Sequence, residues 1–166
     1  MIDGHSLHRH RGYRFSLTPR CGGRDPELEQ PETLIRIGRF IARIHAVGAS
    51  QPFRHRPTLT RHHFGVEPSQ YLIEQGWIPA ELTAPYTSVL EQALTEVAAC
   101  FERAGPIQSR RLHGDCHRGN LLWTEQGPHF VDFDDARMGP AIQDLWMLLS
   151  GDRTQMRLQL DAILEG

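Results

Sequence analysis

The sequence contains no lysine: all eighteen of its Lys or Arg residues are arginine, and its net charge is only −2. It therefore has no large excess of cations to neutralise phosphates, which argues against general nucleic-acid binding. Cysteine is scarce, since only Cys21, Cys100 and Cys116 are present and they have no CxxC spacing. This odd, scattered set predicts no disulfide framework and favours a reducing compartment.

Long apolar runs are also missing from the sequence. No stretch reaches the roughly 18 apolar residues that a membrane-spanning helix needs, and the opening MIDGHSLHRHRGYR lacks the apolar part of a signal peptide. A length of 166 residues corresponds to one ordinary domain. We therefore expect a cytoplasmic protein with neither a membrane partner nor a nucleic-acid partner.

Residues 112–135, LHGDCHRGNLLWTEQGPHFVDFDD, predict a β-hairpin. Two apolar runs of strand length, 120–123 and 129–133, are separated by turn-forming residues. If Trp123 pairs with His129, the two strands run antiparallel with their open end towards the preceding loop. The hairpin is therefore expected to present the first residue of one strand beside the end of the other.

That pairing would place Asn120 opposite Asp132, on one face of the hairpin with Leu122 and Phe130. The loop that carries Asp115 lies just upstream. An amide oxygen and a carboxylate beside a second acidic group suit magnesium that is held together with substrate phosphates. The residues thus predict a magnesium site at the open end of the hairpin.

An Asp followed five residues later by Asn, and then by a hairpin that ends in Asp, is the kinase arrangement. Here the first Asp is introduced by His113-Gly114, so the motif reads H-G-D-x-x-x-x-N. The motif resembles that of the aminoglycoside phosphotransferase and choline kinase-like family, and the segment ARMGPAIQDLW, residues 136–146, also resembles that family. The resemblance implies an α+β fold, a protein-kinase-like large lobe that is mainly helical with a short catalytic β-hairpin.

The same resemblance implies roles for individual residues. Asp115 is the expected base, and Asn120 and Asp132 are the expected ligands of Mg²⁺, with Asp132 needed for catalysis as well. His113 is expected to hydrogen-bond the backbone near the loop, and Asp144 to be a buried carboxylate that fastens the loop. A further residue, Asp134, is either an outer-sphere metal ligand or a cap of the following turn.

The expected reaction is magnesium-dependent transfer of phosphate from ATP to a hydroxyl, most readily a serine or threonine of a protein. Small alcohols such as aminoglycosides, choline or homoserine remain open as acceptors. Two further hydrolase readings use the same residues. His113, Asp115 and His117 would be the metal ligands of a metallohydrolase. Asp132 and Asp134 would be the nucleophile and the acid of a haloacid-dehalogenase-type phosphatase.

The resemblance also divides the chain. Residues 1–23 correspond to the end of a small lobe and the hinge, and residues 24–166 to a large lobe that is C-terminally incomplete. The sequence has no G-x-G-x-x-G stretch and no strand with a lysine, the elements that grip nucleotide phosphates in kinases. We therefore expect a kinase fragment with the small lobe largely missing, and an inactive fragment that serves as a binding module is an alternative.

Helical spacing of apolar residues predicts one helix over 33–47 and a second over 85–103. Residues 141–149 are strongly apolar and predict a buried helix, and a last helix is expected from Thr154. Residues 50–70 are rich in Pro, His and Arg and are expected to form a loop or a substrate-facing surface.

Four local features complete the expectations. Alternation over Tyr13–Leu17 predicts a half-buried strand. On the first long helix, Gly38 and Ala42 on adjoining turns should allow a neighbouring helix to approach closely, and His45 should be a hydrogen-bonded core histidine rather than a catalytic one. Cys116 is expected to pack in the core, because its neighbours provide no arrangement that activates a thiol.

Overall fold

Four helices and six short strands make up residues 4–166, the part of the chain that the computed structural model describes. The α-helices are α1 Pro31–Ala49, α2 Glu67–Glu74, α3 Ala80–Ala104 and α4 Arg153–Glu165. The strands form antiparallel pairs, β1 His8–His10 with β2 Tyr13–Phe15, β3 Arg110–Leu112 with β6 Arg137–Gly139, and β4 Leu121–Thr124 with β5 Gly127–Phe130. A π-helical turn lies at His62–Val66, and tight 3₁₀ turns lie at Arg118–Asn120, Ala141–Asp144 and Trp146–Leu148.

The core is built around α1, which confirms the helix predicted over 33–47. Leu34, Ile37 and Ile41 are buried at helical spacing and face residues from the loops, hairpin and last helix. The buried apolar cluster consists of Leu28, Leu34, Ile37, Ile41, Cys116, Leu121, Leu145, Leu148 and Ile163. One cluster therefore joins α1 to α4, to the first half of the 112–135 segment and to the turns that carry Leu145 and Leu148.

Helix α4 lies against α1 at Gly38, as the sequence predicted, whereas Ala42, which was expected at the same contact, is exposed. A Cβ atom built at Gly38 would overlap the carbonyl oxygen of Ile163 in α4. The helix begins one residue earlier than expected, because Asp152 caps it and its side chain accepts from the Gln155 N–H at 2.9 Å.

We expect Gly38→Ala to lower the free energy of unfolding by about 1–3 kcal/mol, because the added methyl forces the backbones of α1 and α4 apart. The exposed Ala42→Gly change on the same helix is the matched control, and loses about 1 kcal/mol of helix propensity. Urea unfolding followed by circular dichroism measures both. Stabilisation by Gly38→Ala, the effect that propensity alone would give, would contradict the close approach of the two helices.

Helix α3 starts five residues before the predicted position and contains Pro85. Because Pro85 removes a single backbone hydrogen bond near the helix start, the first turn forms ahead of it. The apolar face of α3 is largely exposed, with Leu82 at 52% and Val89 at 66%.

Within residues 4–166 no helix combines the length and apolar character that a bilayer crossing requires.

Two other predictions of secondary structure were wrong. The expected loop over 50–70 includes a π-helical turn, His62–Val66, that continues directly into α2, where Pro68 occupies a first-turn position that needs no N–H donor. The expected buried helix over 141–149 is two tight turns separated at Leu145, which has a φ of −109°, and Ile142 and Trp146 are exposed.

The strand predicted over Tyr13–Leu17 is present as β2, but its side chains are exposed rather than half-buried. Strand β2 pairs with β1 in a two-stranded ribbon. A two-stranded ribbon has no third layer to cover either face, so alternation in the sequence does not lead to burial here.

Candidate active site

Hairpin β4–β5 forms as predicted, but its register differs from the predicted one by one residue. Trp123 lies opposite Pro128 rather than opposite His129, because the turn between the strands contains only two residues. A shift of one residue moves each side chain to the other face of its strand. The expectation that Asn120 and Asp132 form a facing strand pair is therefore wrong.

Asn120 and Asp132 nevertheless lie at the same end of the hairpin. The Val131 N–H donates to the Asn120 carbonyl at 3.1 Å, so the residue just before Asp132 is backbone-paired with Asn120. Asp132 then leaves the strand with a φ of +61°, a left-handed conformation that non-glycine residues seldom adopt. Its carboxylate is exposed. Such strained positions cluster at functional sites.

The side chain of Asn120 is fixed by the Asp115 loop. Its amide nitrogen donates to the Asp115 carbonyl at 2.9 Å and to the Asp115 carboxylate at 3.1 Å. Both amide protons are thereby committed, so Oδ1 is the atom of Asn120 that remains for a cation. Asp115 keeps 37% of its side chain exposed, and His117 Nε2 lies 3.5 Å from its carboxylate. The loop therefore offers a carboxylate that an incoming molecule can reach.

Asp144 fastens the backbone of the Asp115 loop, as the family resemblance implied. Its two carboxylate oxygens accept from the backbone N–H groups of His113 at 2.9 Å and Gly114 at 2.8 Å. The carboxylate also lies 2.9 Å from Nε2 of His45, which confirms the prediction of a hydrogen-bonded core histidine. Asp144 is only 1% exposed, so these are charge-assisted bonds in a site that excludes water.

His113 links the loop to the strand that leads to Asp132. Its Nε2 donates to the Val131 carbonyl at 2.8 Å, and its Nδ1 accepts from the Asp115 N–H at 3.4 Å. The ring also packs 4.4 Å from that of Phe133. Both ring nitrogens are occupied by backbone groups, which confirms the predicted backbone contact and removes His113 as a ligand for the metallohydrolase reading.

Cys116 is fully buried in the core, as predicted, next to the Asp115 loop. Burial, followed by the negative charges of Asp144 and Asp115, raises the pKa of the Cys116 thiol far above its usual range. The thiol therefore stays protonated and packs as a small apolar group. The other two cysteines, Cys21 and Cys100, are exposed free thiols.

Asp134 contributes through its main chain. Its N–H approaches Oδ1 of Asp132 at 3.4 Å, and its carbonyl accepts a hydrogen bond from Arg56. The cap of the following turn that the sequence allowed is not among the hydrogen bonds of residues 4–166. The side chain of Asp134 is exposed beside that of Asp132.

Sequence reasoning missed three residues that hold the site together. Arg56 binds the Asp134 carbonyl, Arg137 binds Asp135, and Gln143 donates from Nε2 to the Gly114 carbonyl at 3.1 Å. No sequence pattern could link Arg56 to the turn at Asp134, because the two residues are 78 positions apart. The only available signal for Arg137 and Gln143 was their position within the segment that resembles the family.

The donor set at this end of the hairpin fits magnesium. Asn120 provides an amide oxygen and Asp132 a carboxylate, both hard ligands. Across residues 4–166 no three His, Cys, Asp or Glu side chains converge as a protein-only metal cage would require. Magnesium is commonly held by one or two carboxylates together with the phosphates of a substrate, and so needs no such cage.

A kinase-like site on an α+β fold defines the class, and comparison with known proteins gives the family. A model of the phosphotransferase enzyme family matches residues 1–166, so the chain belongs to that family. The predicted family is thereby confirmed.

Several curated proteins are similar over almost the whole chain. Stress response kinase A of Shigella flexneri is 42% identical over 164 residues, which cover 99% of this chain and 49% of the relative. The serine/threonine protein kinase RdoA of Salmonella typhimurium is 40% identical over 164 residues, with the same coverage. The chain thus spans about half the length of the curated relatives that it matches.

Solved structures with a similar fold are more distant in sequence. Spectinomycin phosphotransferase APH(9)-Ia, in complex with ADP and spectinomycin, matches with a TM-score of 0.63 at 16% identity, covering 99% of this chain and 56% of that chain. Amicoumacin kinase hAmiN, in complex with AMP-PNP, Ca²⁺ and Ami, matches with a TM-score of 0.65 at 14% identity, covering 99% and 53%. These matches confirm the predicted kinase-like α+β fold.

Proposed function

We propose that this chain carries the phosphotransfer residues of an ATP- and Mg²⁺-dependent kinase, with Asp115 as the base and Asn120 and Asp132 as the metal ligands. The observation that carries the proposal is the contact between Asp115 and Asn120, 3.1 Å from amide nitrogen to carboxylate, at the same end of the hairpin as Asp132. Phosphoryl transfer requires mainly positioning and charge neutralisation, and these three side chains provide the groups for both.

Each residue would act at a defined atom. The Asp115 carboxylate would accept or orient the proton of the attacking hydroxyl, since it is partly exposed and its loop is fixed by Asp144. Asn120 Oδ1 and the Asp132 carboxylate would hold Mg²⁺. When bound, the metal neutralises charge on the nucleotide phosphates.

For the acceptor we propose serine or threonine of a protein. The serine/threonine protein kinase RdoA is 40% identical to this chain, whereas spectinomycin phosphotransferase is 16% identical. A small-molecule alcohol is the second candidate, because the structural neighbours were solved with spectinomycin and with Ami. Parallel assays with a mixed serine/threonine polypeptide and with spectinomycin as acceptors, each with labelled ATP, distinguish the two.

We also propose that residues 1–23 and 24–166 belong to different lobes. The backbone of Arg24 is the first to join the hairpin: its N–H donates to the Trp123 carbonyl at 3.1 Å and its carbonyl accepts from the Trp123 N–H at 2.7 Å. A cytoplasmic location is our proposal as well, since exposed free thiols at Cys21 and Cys100 suit a reducing compartment.

We expect Asp132→Asn to weaken Mg²⁺-dependent ATP binding by at least about tenfold, because the charged ligand is lost. Asparagine tolerates the left-handed backbone at this position, whereas Ala would add strain of its own. Calorimetric titration of ATP with and without Mg²⁺ measures the effect.

The exposed Asp161→Asn on α4 is the control for net charge and should bind as the unchanged chain does. Equal magnesium dependence in Asp132→Asn and Asp161→Asn would rule out Asp132 as the ligand. If the folded, unsubstituted chain binds no nucleotide, the binding-module alternative is favoured over an active kinase.

A further inference from the structure

Arg137 lies where the segments that carry Asp115 and Asp132 meet. Its Nε donates to the Asp135 carbonyl at 2.6 Å, and its guanidinium also forms an ion pair with the Asp135 carboxylate. The Arg137 side chain is 14% exposed, whereas that of Asp135 is 58% exposed, so the guanidinium is largely buried while the carboxylate it binds stays open to water. Arg137 therefore holds the turn that directly follows Asp132 by a two-point contact that only a guanidinium fork can make.

The turn is held from a second side by the π-helical segment. The Arg137 guanidinium lies 4.7 Å from the centre of the Phe64 ring, a cation–π contact. Arg56, which precedes that segment, donates to the Asp134 carbonyl. The backbone of Met138, next to Arg137, bonds to Pro57 at 3.0 Å. Residues 134–138 are thus clamped against residues 56–64.

Gly114 completes the junction. It has a φ of +89°, and a Cβ atom built there would overlap the Asp135 carbonyl oxygen and lie 3.0 Å from Nε of Arg137. The backbone immediately before Asp115 therefore packs directly on the turn that Arg137 holds. Within strand β6, Arg137 is the residue whose side chain bonds to this turn.

We infer that Arg137 is a positioning residue, which sets the placement of Asp115 relative to Asp132 by holding the 134–135 turn against Gly114 and Phe64. The consequence for metal and nucleotide binding rests on the proposed function. The consequence for loop order follows from the contacts alone. Without the fork, the Asp135 carbonyl loses its donor, and the left-handed backbone at Asp132 loses the fixed turn that follows it.

Arg137→Lys tests the inference, because lysine keeps the charge but has neither the fork nor the planar face. We expect amide hydrogen exchange at residues 114–116 and 134–136 to become at least about tenfold faster, as in a segment that opens locally. Exchange in α1 and α4 should not change. Mass spectrometry of peptides from the exchanged protein gives the readout.

Arg111→Lys is the matched control. Arg111 lies on the paired strand β3, stacks 5.6 Å from the ring of Phe53 and donates to the Val47 carbonyl at 2.8 Å. It thus makes contacts of the same kind outside the Asp115 and Asp132 segments. We expect Arg111→Lys to leave exchange at residues 114–116 unchanged, so a general loss of stability is separated from a loss of positioning.

Magnesium dependence provides the second readout. Arg137→Lys should raise the Mg²⁺ concentration needed for ATP binding about 10–100-fold, the usual effect of losing a residue that orients a ligand. Unchanged exchange at residues 114–116 would overturn the inference whatever the binding result. If the unsubstituted chain binds no Mg²⁺–ATP, the proposed function fails, and the exchange experiment still decides the role of Arg137.

If Arg137→Lys does not yield folded protein, Phe64→Leu decides in its place. Phe64 is 41% exposed, and leucine keeps the apolar bulk while removing the ring face under the guanidinium. Faster exchange at residues 134–136 than in the unsubstituted chain is expected, and an unchanged rate would contradict the clamp.

Discussion

Asp115→Asn is expected to lower the rate of phosphoryl transfer by about 10²–10⁴-fold, the usual contribution of a general base. The substitution keeps the shape of the side chain, and the new carbonyl oxygen still accepts the Asn120 amide bond seen at 3.1 Å. The loop should therefore remain in place, because Asp144 holds it through the backbone of His113 and Gly114. The loss falls on the chemical step.

Transfer of labelled phosphate from ATP to a mixed serine/threonine polypeptide measures this effect, with calorimetry on the same samples for nucleotide binding. Asp161→Asn on α4 changes the net charge equally at an exposed position and should retain full activity. A loss in Asp115→Asn smaller than about tenfold, with binding intact, would mean that another group takes the proton.

Asp144→Ala is expected to lower the free energy of unfolding by about 3–5 kcal/mol. The carboxylate is 1% exposed and accepts from two backbone N–H groups and the ring of His45. Removing it leaves these groups unpaired in a buried site. The first consequence is disorder of the Asp115 loop, so nucleotide-dependent activity should be lost together with stability.

Urea unfolding measures the loss of unfolding free energy in Asp144→Ala, and the loss in Asp152→Ala is the reference with which it is compared. Asp152 is an exposed helix cap whose side chain accepts one N–H at 2.9 Å, and its loss should destabilise by only about 1 kcal/mol. Comparable losses in the two variants would show that the buried network contributes no more than an ordinary cap.

Several elements followed from local sequence because their causes are local. The apolar residues of α1 recur at helical spacing, and the same face is buried in the structure. Asp115 and Asn120 are five residues apart within one tight loop, so their contact needs no distant element. The order of loop, strand, turn and strand could also be derived from residue types alone.

Register was the first feature that local sequence did not determine. Several turns were compatible with the residues between the strands, and the two-residue turn shifted all side chains by one position. The predicted facing pair of Asn120 and Asp132 failed for this reason. The two residues still meet at one end because the backbone of Val131 pairs with Asn120 and Asp132 turns left-handed.

The sequence by itself determined the family, the main helix and the residues of the Asp115 loop, because each depends on spacing within a short segment. Only the tertiary structure decided what holds that loop and the turn after Asp132. His45 reaches Asp144 across 99 positions and Arg56 reaches the Asp134 carbonyl across 78. Such contacts depend on how the elements pack, and packing brings together residues that no local spacing relates.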